Sequence, residues 1–215
     1  GELWMVHGGG FYLVEKQKVP ELMPRKLHWF KWETALTWLS GLALLIIVYY
    51  TGGALVELES GVSAAKATGI SLALLAGGFA FYDLLWSSPI AKSEPLGAAL
   101  CCAALLAVAY LLPTWLSPRA VFLQIGAMMG TIMTFSVWWR ILPAQDQMLA
   151  AVKRGEKPDM TLALRAKQCS RHNTYMSVPV VLLMISNHFP TATFNYDWRA
   201  LGGFVLAGFA AAAVM

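Results

Sequence analysis

Six stretches of the chain are apolar for long enough to cross a hydrocarbon layer about 30 Å thick, which takes roughly 17–25 helical residues. Thr34–Thr51 is uncharged and ends in Tyr49-Tyr50, a pair suited to a membrane interface. Ala67–Ser87 is apolar except for Asp83. Leu96–Pro113 is uncharged. Ala120–Trp139 is uncharged and closes on Trp138-Trp139-Arg140. His172–His188 is uncharged between its two histidines, with Pro179 as an expected kink. Ala200–Met215 is again uncharged. No alternating pattern of about ten residues points to a barrel. The pattern predicts an all-α, polytopic transmembrane helical bundle with six spans.

The polar connections support that count. The segment before the first span holds Lys16, Lys18, Arg25, Lys26 and Lys31. The next three connections hold Lys66, Lys92 and Arg119 in turn. The fourth holds Arg140, Lys153, Arg154, Lys157, Arg165, Lys167 and Arg171, and the last holds Arg199. Six spans put thirteen of these cations on one side and three on the other. By the positive-inside rule, residues 1–33 and 140–171 are expected in the cytoplasm. Within the long loop, Gln145–Arg154 reads as a short surface helix and Gly155-Glu156-Lys157-Pro158 as its break. Thr161–Ser170 reads as another short helix leading into the fifth span.

Composition excludes the other classes. Of 215 residues, 58% are hydrophobic and only 13% charged. A soluble globule could not hide so much apolar surface, and a disordered chain would not carry it. Three cysteines, Cys101, Cys102 and Cys169, make neither a disulfide framework nor a C-x-x-C metal pair. The net charge of +4 follows membrane sidedness and gives no reason to expect nucleic acid.

Four histidines, His7, His28, His172 and His188, all fall at predicted membrane ends. Neutral imidazole can ligate haem or act as a base near neutral pH. His172 and His188 are sixteen residues apart, about 24 Å along a helix and about 160° around it. They cannot share one metal. His28 and His172 are expected at one depth, as a haem pair requires; interfacial hydrogen bonding is the plainer alternative for each. Asp83, the one carboxylate inside a span, is either a proton-handling group or the partner of Arg140 or Lys92. Ser170-Arg171-His172-Asn173-Thr174-Tyr175 is the densest polar cluster. Placed at a helix N-terminus, it would favour a small planar anion; capping and anchoring are the alternative. His7-Gly8-Gly9-Gly10 looks like an esterase oxyanion loop, but no G-x-S-x-G accompanies it, so it reads as a turn. Trp29 and Trp32 read as an interface belt.

Five runs carry a family resemblance: HGGGFYLVEKQKVPELMPRKLHWFKWE, YYTGGAL, FYDLLWSSPI, WWRILPAQDQMLAAVKRGEKPD and RHNTYMSVPVVLLMISNHFP. The chain resembles the membrane domain of the integral-membrane, cytochrome-linked urate oxidases over essentially its whole length. The resemblance implies a bundle of about eight helices followed by a c-type cytochrome domain. It implies oxidation of urate to 5-hydroxyisourate, with electrons passing to cytochrome c or a terminal oxidase chain. Residues 1–215 are then expected to be one transmembrane domain, short of a preceding helix, a following helix and the haem c domain. The expected setting is a bacterial inner membrane, with a membrane-protein complex possible.

Under that resemblance, His172, Asp83 and His7 are the candidate catalytic residues, and Arg171, Asn173 and Thr174 the candidate urate ligands. A haem b near the outer face would use His188. His28 and His172 would hold a second haem, or would instead join the cytoplasm-facing urate site. The alternative function is a haem b electron-transfer subunit of a respiratory assembly with no substrate of its own. A transporter or structural subunit ranks third, because paired broken helices are absent from the pattern.

Overall fold

The computed structural model describes residues 2–7, 10–15, 31–189 and 197–214. Six helical rods account for the last two segments, in register with the six apolar stretches. The first is α1 (Lys31–Leu44), continued by a π segment, Leu45–Thr51. Then come α2 (Ala64–Ser87), a short 3-10 turn (Pro89–Lys92) and α3 (Glu94–Leu111). The fourth rod joins α4 (Pro118–Ser136), a π segment (Val137–Ile141) and α5 (Leu142–Lys153). The fifth is α6 (Met160–Ile185), ending in a 3-10 turn, Ser186–His188. The sixth is α7 (Trp198–Val214).

Local chemistry sets the starts. Ser63, Ser117 and Asp159 each accept a backbone N–H of the first turn they precede, satisfying donors that a helix start leaves orphaned. The expected break after α5 is present: Gly155 takes φ +73°, a conformation costly for any residue with a Cβ.

The bundle is built around α4. Phe122, Ile125 and Met129 on it are essentially inaccessible, and α1, α2, α3 and α6 all pack against it. The outer faces of the surrounding rods carry exposed Leu36, Ile47, Leu84, Val181 and Phe204. Four rods, Lys31–Thr51, Ala64–Ser87, Glu94–Thr114 and Pro118–Lys153, are long and apolar enough to cross a membrane. An apolar exterior around a packed interior suits lipid, where helices associate by close fit and interhelical hydrogen bonds.

Both devices are present. On α2 and α4, Ser71 Oγ donates to Gln124 Oε1 at 2.6 Å, and Gln124 Nε2 donates to the Ser71 carbonyl at 2.9 Å. The Tyr50 hydroxyl joins Ser71 at 2.7 Å. Close fit shows at Gly208 of α7, where a Cβ would come within 2.9 Å of the Pro179 backbone on α6. One face of α7, with Leu201, Val205 and Gly208, therefore packs within this chain.

The connections sort into two ends. At one, Ser117 Oγ donates to the Ala54 carbonyl at 2.8 Å, and Trp198 meets Tyr110 edge-on at 5.7 Å between ring centres. At the other, Trp32 and Trp138 meet edge-on at 5.7 Å, beside Lys31. Trp32 and Trp139 are exposed there, as an interface belt requires. Tyr49 departs from expectation: it is buried in the core, and Tyr50 is held by Ser71, so this pair braces helices.

A second departure is a β-hairpin. β1 (Glu2–His7) pairs antiparallel with β2 (Gly10–Glu15), and His7 faces Gly10 at its closed end. Two short continuous apolar runs, Leu3–Val6 and Phe11–Val14, separated by a glycine run, carry the strand signal.

Candidate functional site

The polar chemistry gathers where α2, the π segment after α4, and α6 meet, at the cation-rich end. Tyr82 and Trp86 sit one turn apart on α2 and share a face. Arg165, Gln168, Cys169 and His172 form a matching stripe on α6. The two stripes face each other. The Tyr82 hydroxyl lies 2.8 Å from His172 Nδ1. The His172 ring packs on the Trp86 indole with ring centres 4.3 Å apart. Cys169 and Ser136 border the Tyr82 phenol.

Next to Tyr82 on α2, Asp83 is bound by Arg140 in a two-pronged ion pair, Nε to Oδ1 and Nη2 to Oδ2, both at 2.5 Å. Each side chain is about a quarter exposed, at 26% and 25%. Arg140 is aimed there by the π segment it belongs to; such irregular turns are frequent at functional sites. Arg140 Nη2 also donates to Ser87 Oγ at 3.1 Å, and Arg165 Nη2 donates to the same oxygen at 2.6 Å. Between these groups lies a cleft with about 10 Å³ of open space, lined by Tyr82, Asp83, Trp86, Ser87, Arg140, Arg165, Gln168 and Cys169. That is about one water's worth.

The residues singled out from the sequence separate into two groups. His172 and Asn173 turn inward: Asn173 Nδ2 donates to the Met133 carbonyl at 3.1 Å. Arg171 and Thr174 turn outward. Arg171 is paired with Glu94 at the start of α3, and Thr174 Oγ1 donates to the Ser170 carbonyl. Asp83 takes the Arg140 partnership that the sequence left open. His188 is exposed at the far end of the fifth rod. His7 lies on β1, but its side chain, and all of His28, fall outside the described residues.

One expectation is corrected. Ser170–Tyr175 does not open a helix. α6 is continuous from Met160, capped by Asp159, so His172 sits more than three turns inside it. The backbone N–H groups there are already bonded, and no helix-terminal field is available to an anion. The anion argument for Arg171 and Asn173 loses its basis. The seam between the expected Thr161–Ser170 helix and the fifth span does not exist.

Three buried polar atoms flank the site with no close hydrogen bond among the described residues: Trp86 Nε1, beside the Cys101 thiol, Ser136 Oγ, beside the Tyr82 phenol, and Asn173 Oδ1. Such orphans are uncommon and mark places where water or a ligand completes the bonding. Among the described residues no three His, Cys, Asp or Glu side chains converge as a metal site.

Sequence reasoning passed over Tyr82, Trp86, Arg165 and Gln168 as site residues. The signal was available: Tyr82 and Trp86 are spaced i, i+4, and Arg165, Gln168 (or Cys169) and His172 are spaced i, i+3/4, i+7. Two polar stripes on adjacent apolar spans need each other as partners. No curated protein and no solved structure matches the chain at a significant level. A family model described as urate oxidase N-terminal matches residues 1–214, and the chain belongs to that family.

Proposed function

We propose that this chain is the membrane-embedded part of an enzyme that oxidises urate to 5-hydroxyisourate and passes the electrons to cytochrome c. Family membership supports the urate-related oxidoreductase reading. The observation that carries the site is the His172–Tyr82 pair beside a cleft lined by cations. The setting is a bacterial inner membrane, with that end of the bundle in the cytoplasm. The cations at this end and the apolar rods support the placement.

The reaction joins urate and water to give 5-hydroxyisourate, two protons and two electrons. His172 is the base that takes a ring N–H proton as the electrons leave. Its hydrogen bond to Tyr82 and its packing on Trp86 fix the ring for that task. Asp83 holds Arg140 in place and is not free to act as a base. Two one-electron acceptors of the cytochrome c class complete the balance.

The residues differ in their fit to haem b. A haem needs an opening of several hundred cubic ångströms beside its ligand. His172 does not fit: its ring is wedged between Tyr82 and Trp86, and the adjoining cleft has about 10 Å³. His188, exposed at the end of its rod, is not enclosed in this way, and its imidazole is the one that would serve as an axial ligand. A haem held there would supply one-electron transfer toward the outer face.

The test is the visible spectrum of the full-length protein in detergent, without oxygen, before and after urate. Reduced b- or c-type bands appearing with urate support the proposal. Bands that respond to dithionite but not to urate overturn it in favour of an electron-transfer subunit without its own substrate.

A further inference from the structure

We infer that Arg165 is the anchor for the negative charge of the substrate, with Gln168 and the Ser87 hydroxyl beside it. This inference rests on the urate reading above and assigns that site's ligand-binding group.

At this end of the bundle the other arginines facing α2 and α3 are neutralised in place: Arg140 by Asp83 and Arg171 by Glu94. Among the described residues, Arg165 has no carboxylate partner. Its guanidinium rests on Ser87 Oγ at 2.6 Å, an uncharged oxygen that already accepts from Arg140 at 3.1 Å. Two guanidinium groups therefore converge on one hydroxyl. A guanidinium makes its strongest hydrogen bonds to anionic oxygen, in a planar two-pronged geometry. Ser87 occupies the place that an anion would fill better.

Position supports the same assignment. Arg165 and Gln168 line the cleft whose inner wall is Tyr82, Trp86 and Cys169. His172 lies two turns further along the same helix, hydrogen-bonded to Tyr82. A planar ring held at the mouth by Arg165 would present its other edge toward the cleft and the base. The cleft itself holds about one water, so binding requires Arg165 to swing from Ser87 onto the ligand. Among the described residues lining the cleft, Asp83 offsets Arg140 and leaves the charge of Arg165 to match one negative charge. The site should therefore favour the urate monoanion over a neutral oxopurine such as hypoxanthine. Gln168, whose amide donates to Glu94 at 3.3 Å, is a weakly held neighbour that can turn to a ring carbonyl or N–H.

The experiment is steady-state urate oxidation by the full-length enzyme in nanodiscs, with Arg165→Gln, Arg165→Lys and, as a control for lost charge on the same helix, Lys167→Gln. Arg165→Gln should raise KM about 10- to 100-fold while kcat changes much less, the pattern of a binding contact made equally before and during reaction. Arg165→Lys should fall between, keeping the charge but losing the fork. Lys167→Gln should leave KM unmoved. An unchanged KM in Arg165→Gln overturns the inference, as does an equal rise in Lys167→Gln. Should Arg165→Gln fail to reach the membrane, an unchanged KM in Arg165→Lys overturns it. Absence of urate turnover in the wild type overturns the functional reading and this inference together.

Discussion

The Tyr82 hydroxyl and His172 Nδ1 are 2.8 Å apart, joining α2 to α6 across the inner end of the bundle. This bond decides which imidazole nitrogen can do chemistry. A neutral ring carries one proton. If Nδ1–H donates to the phenol oxygen, Nε2 is the free base. The phenol's own proton then has Ser136 Oγ and Cys169 as neighbours, and Ser136 Oγ has no other partner among the described residues. In the opposite tautomer the phenol donates to Nδ1 and Nε2 carries the proton, so it is the Nδ1–H form that leaves Nε2 basic, with Ser136 Oγ and Cys169 beside the phenol proton.

Removing the phenol oxygen should therefore uncouple the base from its support. Tyr82→Phe keeps the ring against Trp86 but frees the imidazole to change tautomer and tilt. We expect kcat for urate to fall about 10- to 100-fold, with KM nearly unchanged and a displaced acid limb in the pH profile of kcat. His172→Gln should fall further, by about 10²- to 10⁴-fold. A Tyr82→Phe enzyme with wild-type kcat and pH profile would show that the bond is structural only.

The Asp83–Arg140 pair makes a prediction about coupling. Each partner is about a quarter exposed, so solvent screens the pair, but its two-pronged geometry ties α2 to the π segment. Asp83→Asn or Arg140→Gln alone should cost about 1–3 kcal/mol, because each strands its partner beside Ser87. The double variant should cost less than the sum of the two. Thermal unfolding in detergent across the four-member cycle measures this; strict additivity would remove the pair from the list of interhelical ties.

Gly97 links packing to chemistry. A Cβ built on it would lie 2.6 Å from the six-membered ring of Trp86, the indole that backs His172. Gly97→Ala should therefore displace the indole, lowering stability by about 1–3 kcal/mol and lowering kcat together with it. Gly69→Ala is the control. It also sits inside a helix, but nothing lies within 4 Å of its added Cβ. There the substitution should stabilise by up to about 1 kcal/mol. Equal effects at the two glycines would mean that Trp86 moves without consequence.

Much of this architecture was legible in the residues, and the reasons differ by level. The six rods were legible because a membrane span is a long uncharged run, and few other structures produce one. Asp83 stood out for the complementary reason, as a charge where charges are costly. The length of α6 was not legible. Its first half carries Arg165, Lys167 and Arg171, so the apolar signal begins near His172 although the backbone helix begins at Met160. Hydropathy reports where lipid starts, and capping reports where the helix starts; Asp159 with Thr161 two residues on was the better guide. Within that longer helix Arg171 is paired with Glu94, while Arg165, about two turns earlier, lines the cleft. The Tyr82–His172 contact joins residues 90 positions apart and follows only from which helix faces pack together.

The cap that starts α6 gives the final prediction, on acid. Asp159 Oδ1 accepts from both the backbone N–H and the hydroxyl of Thr161, at 2.8 Å and 2.7 Å, and these bonds lower its pKa from the ordinary value of 3.8. A carboxylate with a depressed folded pKa stabilises the fold above its unfolded pKa, and that contribution disappears as pH falls through the folded value. The first turn of α6 should therefore lose amide protection below pH 3.8, while the core helix α4 keeps it. Asp159→Asn caps through a neutral oxygen and should flatten this acid response without unravelling the turn at neutral pH. Asp159→Ala should fray the turn at every pH. Hydrogen-exchange protection factors at Thr161–Ala163, followed from neutral pH into acid, distinguish the three. If wild type and Asp159→Asn lose protection in parallel, ionisation of this cap has no part in holding α6 at its start, and the acid sensitivity belongs to another carboxylate.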